Sequence, residues 1–184
     1  MVNVTSREVA LAVAGGVLLG SAFLLIRTGP RVTTGSRSPA LTIPLVANGN
    51  GNVALTSARR VTVVDFFASW CGVCAASVPG LQRTMTRDGV RFIAVSVDDH
   101  ADAARAVAAR WNLVGPVAWD RNRRALDAYG VRALPTLVVT CADGTIAATH
   151  VGPVSAATLE AEVERARASG GSSPGSTAWR AAGR

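Results

Sequence analysis

The stretch that most constrains this chain is Val61-Thr-Val-Val-Asp-Phe-Phe67, followed by Ala-Ser-Trp-Cys71-Gly-Val-Cys74. The apolar run reads as a buried strand, the next residues as a short turn, and the first cysteine as the start of a helix. At a helix N-terminus the unpaired backbone N–H groups and the helix dipole favour an anion, so a thiolate there is stabilised. Cys74 falls one turn later and can reach back to close a disulfide. A dithiol/disulfide switch is therefore expected at the strand–helix junction. Asp65 interrupts the run six residues before Cys71. A carboxylate inside an apolar strand is costly unless it has a role, and burial should raise its pKa.

The elements around this stretch follow from periodicity and punctuation. Behind Cys74, Val78, Leu81 and Met85 recur at helical spacing, with Pro79 expected to kink the helix. Asp88-Gly89 reads as a turn and Arg91 to Val97 as a second buried strand. Ala104, Val107, Ala108 and Trp111 share one helical face. Pro116 to Trp119 reads as a short strand, and Arg121 to Tyr129 as a helix ending at Gly130. Thr136 to Thr140 and Thr145 to His150 read as strands joined at Asp143-Gly144. Ser155 is placed to cap a last helix with Leu159, Val163 and Ala166 inward. Upstream, Leu41 to Val46 and Val53 to Leu55 suggest a hairpin across Asn48-Gly-Asn-Gly-Asn52, read as a plain surface turn. The βαβ…ββα order predicts an α/β fold, a mixed central β-sheet flanked by helices on both faces. The segment Asp98 to Gly130 adds a helix–strand–helix before the final hairpin.

Val9 to Ile26 is uncharged and apolar. At ~1.5 Å per residue it makes about 27 Å of helix, close to one hydrocarbon core. An N-terminal transmembrane helix is expected. The rival is a cleaved signal peptide at Gly20-Ser-Ala22, but Phe-Leu-Leu-Ile follows directly and suits continued membrane burial better. No cysteine follows the apolar segment, which excludes a lipoprotein anchor. The chain thus divides into a transmembrane anchor (1–27), a flexible linker (28–40), one domain (41–168) and a disordered tail (169–184). Arg27, Arg31 and Arg37 follow the span and, by the positive-inside rule alone, would hold the domain in the cytoplasm. A cysteine-pair domain makes more chemical sense outside, and that is the expectation here.

All 19 basic residues are arginine. Without the N-terminal segment and linker, 15 basic residues face 11 acidic ones. No arginine cluster stands out, and this mild, dispersed charge argues against nucleic acid. Three cysteines do not make a structural disulfide framework. Cys141 reads as a small buried hydrophobe more than a third redox thiol. A zinc site needs about four ligands, and only His100, His150 and Cys141 remain to supplement the pair. No metal is expected, and no cofactor beyond a redox-active Cys71–Cys74 disulfide. His100 and His150 read as exposed polar residues, Trp111 and Trp119 as core.

Four segments together resemble the thioredoxin-fold proteins, over roughly Val61 to Ala168. Asp65-Phe-Phe-Ala-Ser-Trp-Cys-Gly-Val-Cys74 is similar to the thioredoxin pattern V-D-F-W-A-x-W-C-G-P-C. Pro79 matches that family's helix proline. Tyr129-Gly-Val-Arg-Ala-Leu-Pro-Thr136 resembles Y-G-I-R-x-I-P-T, whose proline is cis, and Ala147 to Gly152 resembles the strand and glycine that follow. The membrane segment, the early strands and the Asp98–Gly130 addition resemble the membrane-anchored extracytoplasmic thioredoxins of the TlpA/ResA type; the Cys-Gly-Val-Cys centre also resembles the ScsD-like oxidoreductases. The chain departs from these patterns in three places. Val73 replaces the thioredoxin proline. Ala94 stands where a lysine pairs with the buried aspartate. Thr136 follows the cis-proline where cytochrome-maturation members often carry glutamate.

The resemblance implies a thiol-disulfide oxidoreductase. Cys71 is the implied nucleophile, Cys74 the resolving thiol, and Asp65 a proton relay to Cys74. A cis Pro135 would expose the backbone of Leu134 to an extended substrate, with Trp70 and Thr136 beside it. With no charge at Gly72 or Val73, and Asp65 opposing thiolate formation, the expected task is reducing disulfides of extracytoplasmic proteins. A membrane thiol-disulfide electron carrier would supply the electrons, and the chain would act as a monomer anchored by one span in a bacterial cytoplasmic membrane, its domain periplasmic or on the outer face. The alternatives are an oxidase or isomerase of exported protein disulfides or, in another class, a copper-handling or non-catalytic thioredoxin-fold binding protein.

Overall fold

The computed structural model describes residues 32–170. Its strands are β1 (Thr42–Ala47), β2 (Asn52–Ala54), β3 (Val61–Phe67), β4 (Val90–Ser96), β5 (Val117–Trp119), β6 (Thr136–Thr140) and β7 (Ile146–Val151). Its helices are α1 (Gly72–Met85), α2 (Ala101–Arg110), α3 (Arg124–Ala128) and α4 (Ala156–Gly170). The strands form one sheet in the order β2-β1-β5-β4-β3-β6-β7. β3, β4 and β5 run parallel, while β6, β7, β1 and β2 pair antiparallel to their neighbours. The mixed sheet and the element order are those expected from the sequence.

β3 is central, between β4 and β6, and every one of its residues is buried. Alternation along the strand sends Asp65 and Phe67 to one face and Phe66 to the other. Phe67 packs on Trp111 at the end of α2, with ring centroids 5.5 Å apart. Phe66 packs on Tyr129 at the end of α3, at 5.4 Å. Leu137 lies opposite Asp65 on β6, and His150 opposite Leu137 on β7. The His150 imidazole comes 3.5 Å from Glu162 of α4. α4 therefore covers the Asp65 face, and α1, which packs on α4, covers it too. The apolar sides of these helices, Val78 and Leu81 on α1 and Leu159, Val163 and Ala166 on α4, close the core.

Several local expectations change. α3 starts at Arg124, not Arg121, because the buried Asp120 carboxylate accepts from the N–H groups of Ala125 and Leu126 and sets the first turn there. The Asn48–Asn52 segment does more than turn the chain. The Asn48 amide donates to the carbonyls of Leu113 and Gly115, tying the hairpin to the loop before β5. His150 is only partly exposed because it faces Glu162, and Trp119 is half-buried, its indole N–H donating to the Asp98 carbonyl at 2.7 Å. Pro79 lies within an α1 that continues to Met85. Of the expected linker, residues 35–38 hydrogen-bond through their backbone to Gly144 and Ile146, and the Ser38 hydroxyl meets the Tyr129 hydroxyl at 2.8 Å. The expected membrane span over 9–26 and the tail beyond 170 lie outside the described residues. Among the described residues no helix is long and apolar enough to cross a membrane.

Candidate active site

The three parallel strands end on one edge of the sheet. In parallel sheets, sites gather outside the carboxyl ends of the strands. Here the chain leaving β3 carries Trp70 and Cys71, the chain leaving β4 carries Val97 and Asp98, and the chain leaving β5 carries Asp120.

Cys71 is the N-cap of α1, in extended backbone, and Cys74 is in the first turn. The two are joined by a disulfide, with Cα atoms 5.2 Å apart. The Cys74 N–H donates to the Cys71 sulfur at 3.1 Å. This is a capping bond in which sulfur takes the place of the usual side-chain oxygen, and it would stabilise negative charge on Cys71 once the disulfide opens. Both cysteines are buried, Cys74 the more deeply. Trp70 is 72% exposed and Val73 51%, so the disulfide is flanked by apolar surface facing solvent.

Asp65 sits on the sheet face that α1 covers. Its register partners are Ala94 and Leu137, neither of which can pair with a carboxylate. One of its oxygens has no hydrogen-bond partner. Burial pushes its pKa up to about 7. An ionisable group with an open oxygen beneath the cysteine helix can hold or release a proton near neutral pH.

Across from Cys71, α3 ends in a Schellman turn. Gly130, at φ 64°, donates to Asp127, and Val131 donates to Leu126. The loop then reaches Leu134-Pro135, whose peptide bond is cis. Leu134 enters no backbone hydrogen bond among the described residues, while the Pro135 carbonyl accepts from Gly152. A cleft of about 420 Å³ lies between this loop and Cys71, and Trp70, Leu126, Val131 and Leu134 are among the residues lining it. Thr136 is not part of that lining. It is buried, and its hydroxyl donates to the Ala133 carbonyl at 2.7 Å, bracing the loop from beneath.

Asp98 is the main site residue that sequence reading missed. It is buried and accepts from the backbone N–H and hydroxyl of Ser69 and from the hydroxyl of Ser96. It thus pins the turn leading into Trp70-Cys71 to the end of β4. The available signal was a carboxylate directly after a buried apolar strand, where parallel sheets place their sites. Cys141 is a free, buried thiol. Burial first, then the Asp143 charge, pushes its pKa up. It follows β6 at the end away from Thr136, about 17 Å along the strand at ~3.3 Å per residue.

A family model described as Redoxin matches residues 33–166. The chain is 26% identical over 104 residues to the thiol-disulfide oxidoreductase ResA of Halalkalibacterium halodurans, covering 55% of this chain and 59% of that one. It is 34% identical over 105 residues to the thiol:disulfide interchange protein CycY of Rhizobium leguminosarum, covering 54% and 56%. It thus spans under two thirds of the length of these curated relatives. Among solved structures, a Chlorobium tepidum protein described as a thiol:disulfide interchange protein DsbE superposes with TM-score 0.67 at 28% identity, over 73% of this chain and 98% of that one. A secreted Mycobacterium tuberculosis disulfide oxidoreductase superposes with TM-score 0.60 at 21% identity, over 68% and 96%, a likeness of fold. The architecture is a thioredoxin-like α/β fold with a mixed sheet.

Proposed function

The chain belongs to the Redoxin family, and we propose that it is a thiol-disulfide oxidoreductase that cycles Cys71 and Cys74 between dithiol and disulfide. The observation that carries this reading is the placement of Cys71. It caps α1, takes the Cys74 N–H on its sulfur, and borders a cleft whose far wall is the loop ending at the cis Leu134-Pro135 bond.

The Cys71 thiolate attacks a substrate disulfide. One substrate sulfur leaves as a thiolate and takes a proton, and Cys71 is left in a mixed disulfide. The Cys74 thiolate then attacks the Cys71 sulfur and releases the second substrate thiol. Two electrons pass from the protein to the substrate. The uncommitted backbone of Leu134 supports docking of an extended substrate segment by strand-like pairing. Asp65 takes the proton from Cys74 as that thiol becomes the attacking group.

Reduction is the favoured direction. The first turn of α1 carries Gly72 and Val73, which offer no positive charge to Cys71. A buried Asp65 anion opposes thiolate formation nearby. Both weaken the thiolate stabilisation that makes a strong oxidant. Residues 9–26 would anchor the chain in the bacterial cytoplasmic membrane by one span, with the domain on the extracytoplasmic side. Its substrates would be protein disulfides there, and a membrane thiol-disulfide carrier would restore the dithiol.

Insulin reduction driven by dithiothreitol tests the reaction. The full chain in detergent should accelerate it, and Cys71→Ser should abolish the acceleration. Equal turnover by wild type and Cys71→Ser would overturn the reading.

A further inference from the structure

The cleft beside Cys71 is apolar along most of its wall, but it also carries charge. Arg123, from the loop before α3, and Arg132, from the loop before the cis bond, both line it. Arg132 has a partner in Asp127, 3.8 Å away and also on the wall. Arg123 has no ion-pair partner or side-chain hydrogen bond among the described residues. The nearest carboxylate in sequence, Asp120, is buried and spends both oxygens on the N–H groups of Ala125 and Leu126. It is not free to turn toward Arg123. Arg121 and Arg124 flank this position, exposed and likewise without an acidic partner; Arg121 lies over the Trp119 ring at 5.9 Å. Three arginines, Arg121, Arg123 and Arg124, thus stand close together in the chain, and Arg123 lies on the wall of the cleft that contains Cys71.

We propose that this cleft selects disulfides whose attacked cysteine is flanked by an acidic residue, through attraction to Arg123. The proposal rests on the thiol-disulfide reading and names the substrate class for that same site. An exposed charge pair contributes little to stability, but a free cation at the mouth of an apolar cleft biases which segment enters and how fast. The chemistry is unchanged. Cys71 and Cys74 give two electrons to the substrate disulfide, its S–S bond breaks, and the Cys71–Cys74 bond forms. The arginine acts on encounter and register, not on bond making.

The test uses the full chain in nonionic detergent, reduced with dithiothreitol and then freed of it. Three synthetic peptides, each closed by one internal disulfide, differ only in having Glu, Gln or Arg beside one cysteine. Peptide dithiol is followed by chromatography after acid quench, in a single turnover. Each rate is divided by the rate of the same peptide with dithiothreitol alone, which removes intrinsic reactivity. The expected order is Glu above Gln above Arg, with roughly three- to fivefold between Glu and Gln at low salt. The preference should shrink toward unity at about 0.5 M salt, where screening is short-ranged. Arg123→Glu should reverse the order. Equal normalised rates for the three wild-type reactions, or an order unchanged by salt, would overturn the proposal while leaving the oxidoreductase reading intact. No Cys71-dependent reduction of any peptide would overturn both.

Discussion

Asp98 accepts hydrogen bonds from both the backbone N–H and the hydroxyl of Ser69, at 3.0 and 2.7 Å, although 29 residues separate them. Ser69 is two residues before Cys71, so the end of β4 sets where α1 begins. Replacing Asp98 by Ala leaves buried donors unsatisfied, and a loss of roughly 2–4 kcal/mol in stability is expected. Asp98→Asn keeps one acceptor and is expected to cost about half as much. Asp98→Asn should still slow substrate reduction and shift Trp70 fluorescence under conditions where the variant is fully folded. A variant that loses stability but keeps wild-type rate and fluorescence would show that the bond holds the fold without positioning the site.

Asp65 makes stability depend on pH in a defined direction. Its pKa is raised by burial to about 7 in the folded protein, from 3.8. The folded state therefore holds the proton where the unfolded state has released it. The contribution is fully present below the unfolded value and is lost as pH rises through about 7. Asp65→Asn should remove that slope and leave the variant more stable than the parent at pH 8 by roughly 2–4 kcal/mol. Urea melts of the oxidised protein at pH 5 and pH 8 check this. The same variant should slow turnover at the step where Cys74 must lose its proton, and faster turnover would count against the relay.

Cys141 is expected to take no part in the chemistry. It is buried, its thiol pKa is raised, and it follows the far end of β6. Cys141→Ala should reduce insulin at the wild-type rate. In the native protein Cys141 should resist alkylation until denaturant is added, which mass spectrometry of labelled peptides reads directly.

Val73 is exposed in the first turn of α1, so a larger polar side chain fits there without repacking. Val73→His places a cation beside the Cys71 sulfur when protonated. It should lower the Cys71 pKa and raise the potential of the pair by roughly 30–60 mV. An unchanged potential would mean that the helix terminus alone sets the thiolate.

The parts of the site legible in the sequence were local ones. Cys71 and Cys74 stand at helical spacing directly behind a buried strand, and Asp65 is conspicuous because it interrupts that strand. The cis bond before Pro135 followed from resemblance across a short continuous segment, and the structure has it. The parts that were not legible depend on where strands end relative to one another. Ser69 meets Asp98, and Arg123 reaches the cleft, only because β3, β4 and β5 are parallel and finish on one edge. Part of the segment read as a linker, residues 35–38, is tied to the domain by contacts of the same long-range kind. The segment's Gly, Ser and Thr content is that of a free tether, yet the backbone of Gly35, Ser36 and Ser38 pairs with Gly144 and Ile146, over a hundred residues away. Thr136 falls outside the lining of the Cys71 cleft because strand register, not proximity to Pro135, decides which way a side chain points. It pairs with Phe66, on the face opposite Asp65.

The reduction potential of the Cys71–Cys74 pair, measured on the full chain in detergent against a glutathione or dithiothreitol buffer, tests the central claim most directly. Thioredoxin lies at about −270 mV and the strong oxidant DsbA at about −120 mV. A dedicated reductant should fall below roughly −230 mV. A value above roughly −180 mV would contradict the assigned direction and make the same scaffold an oxidase or isomerase.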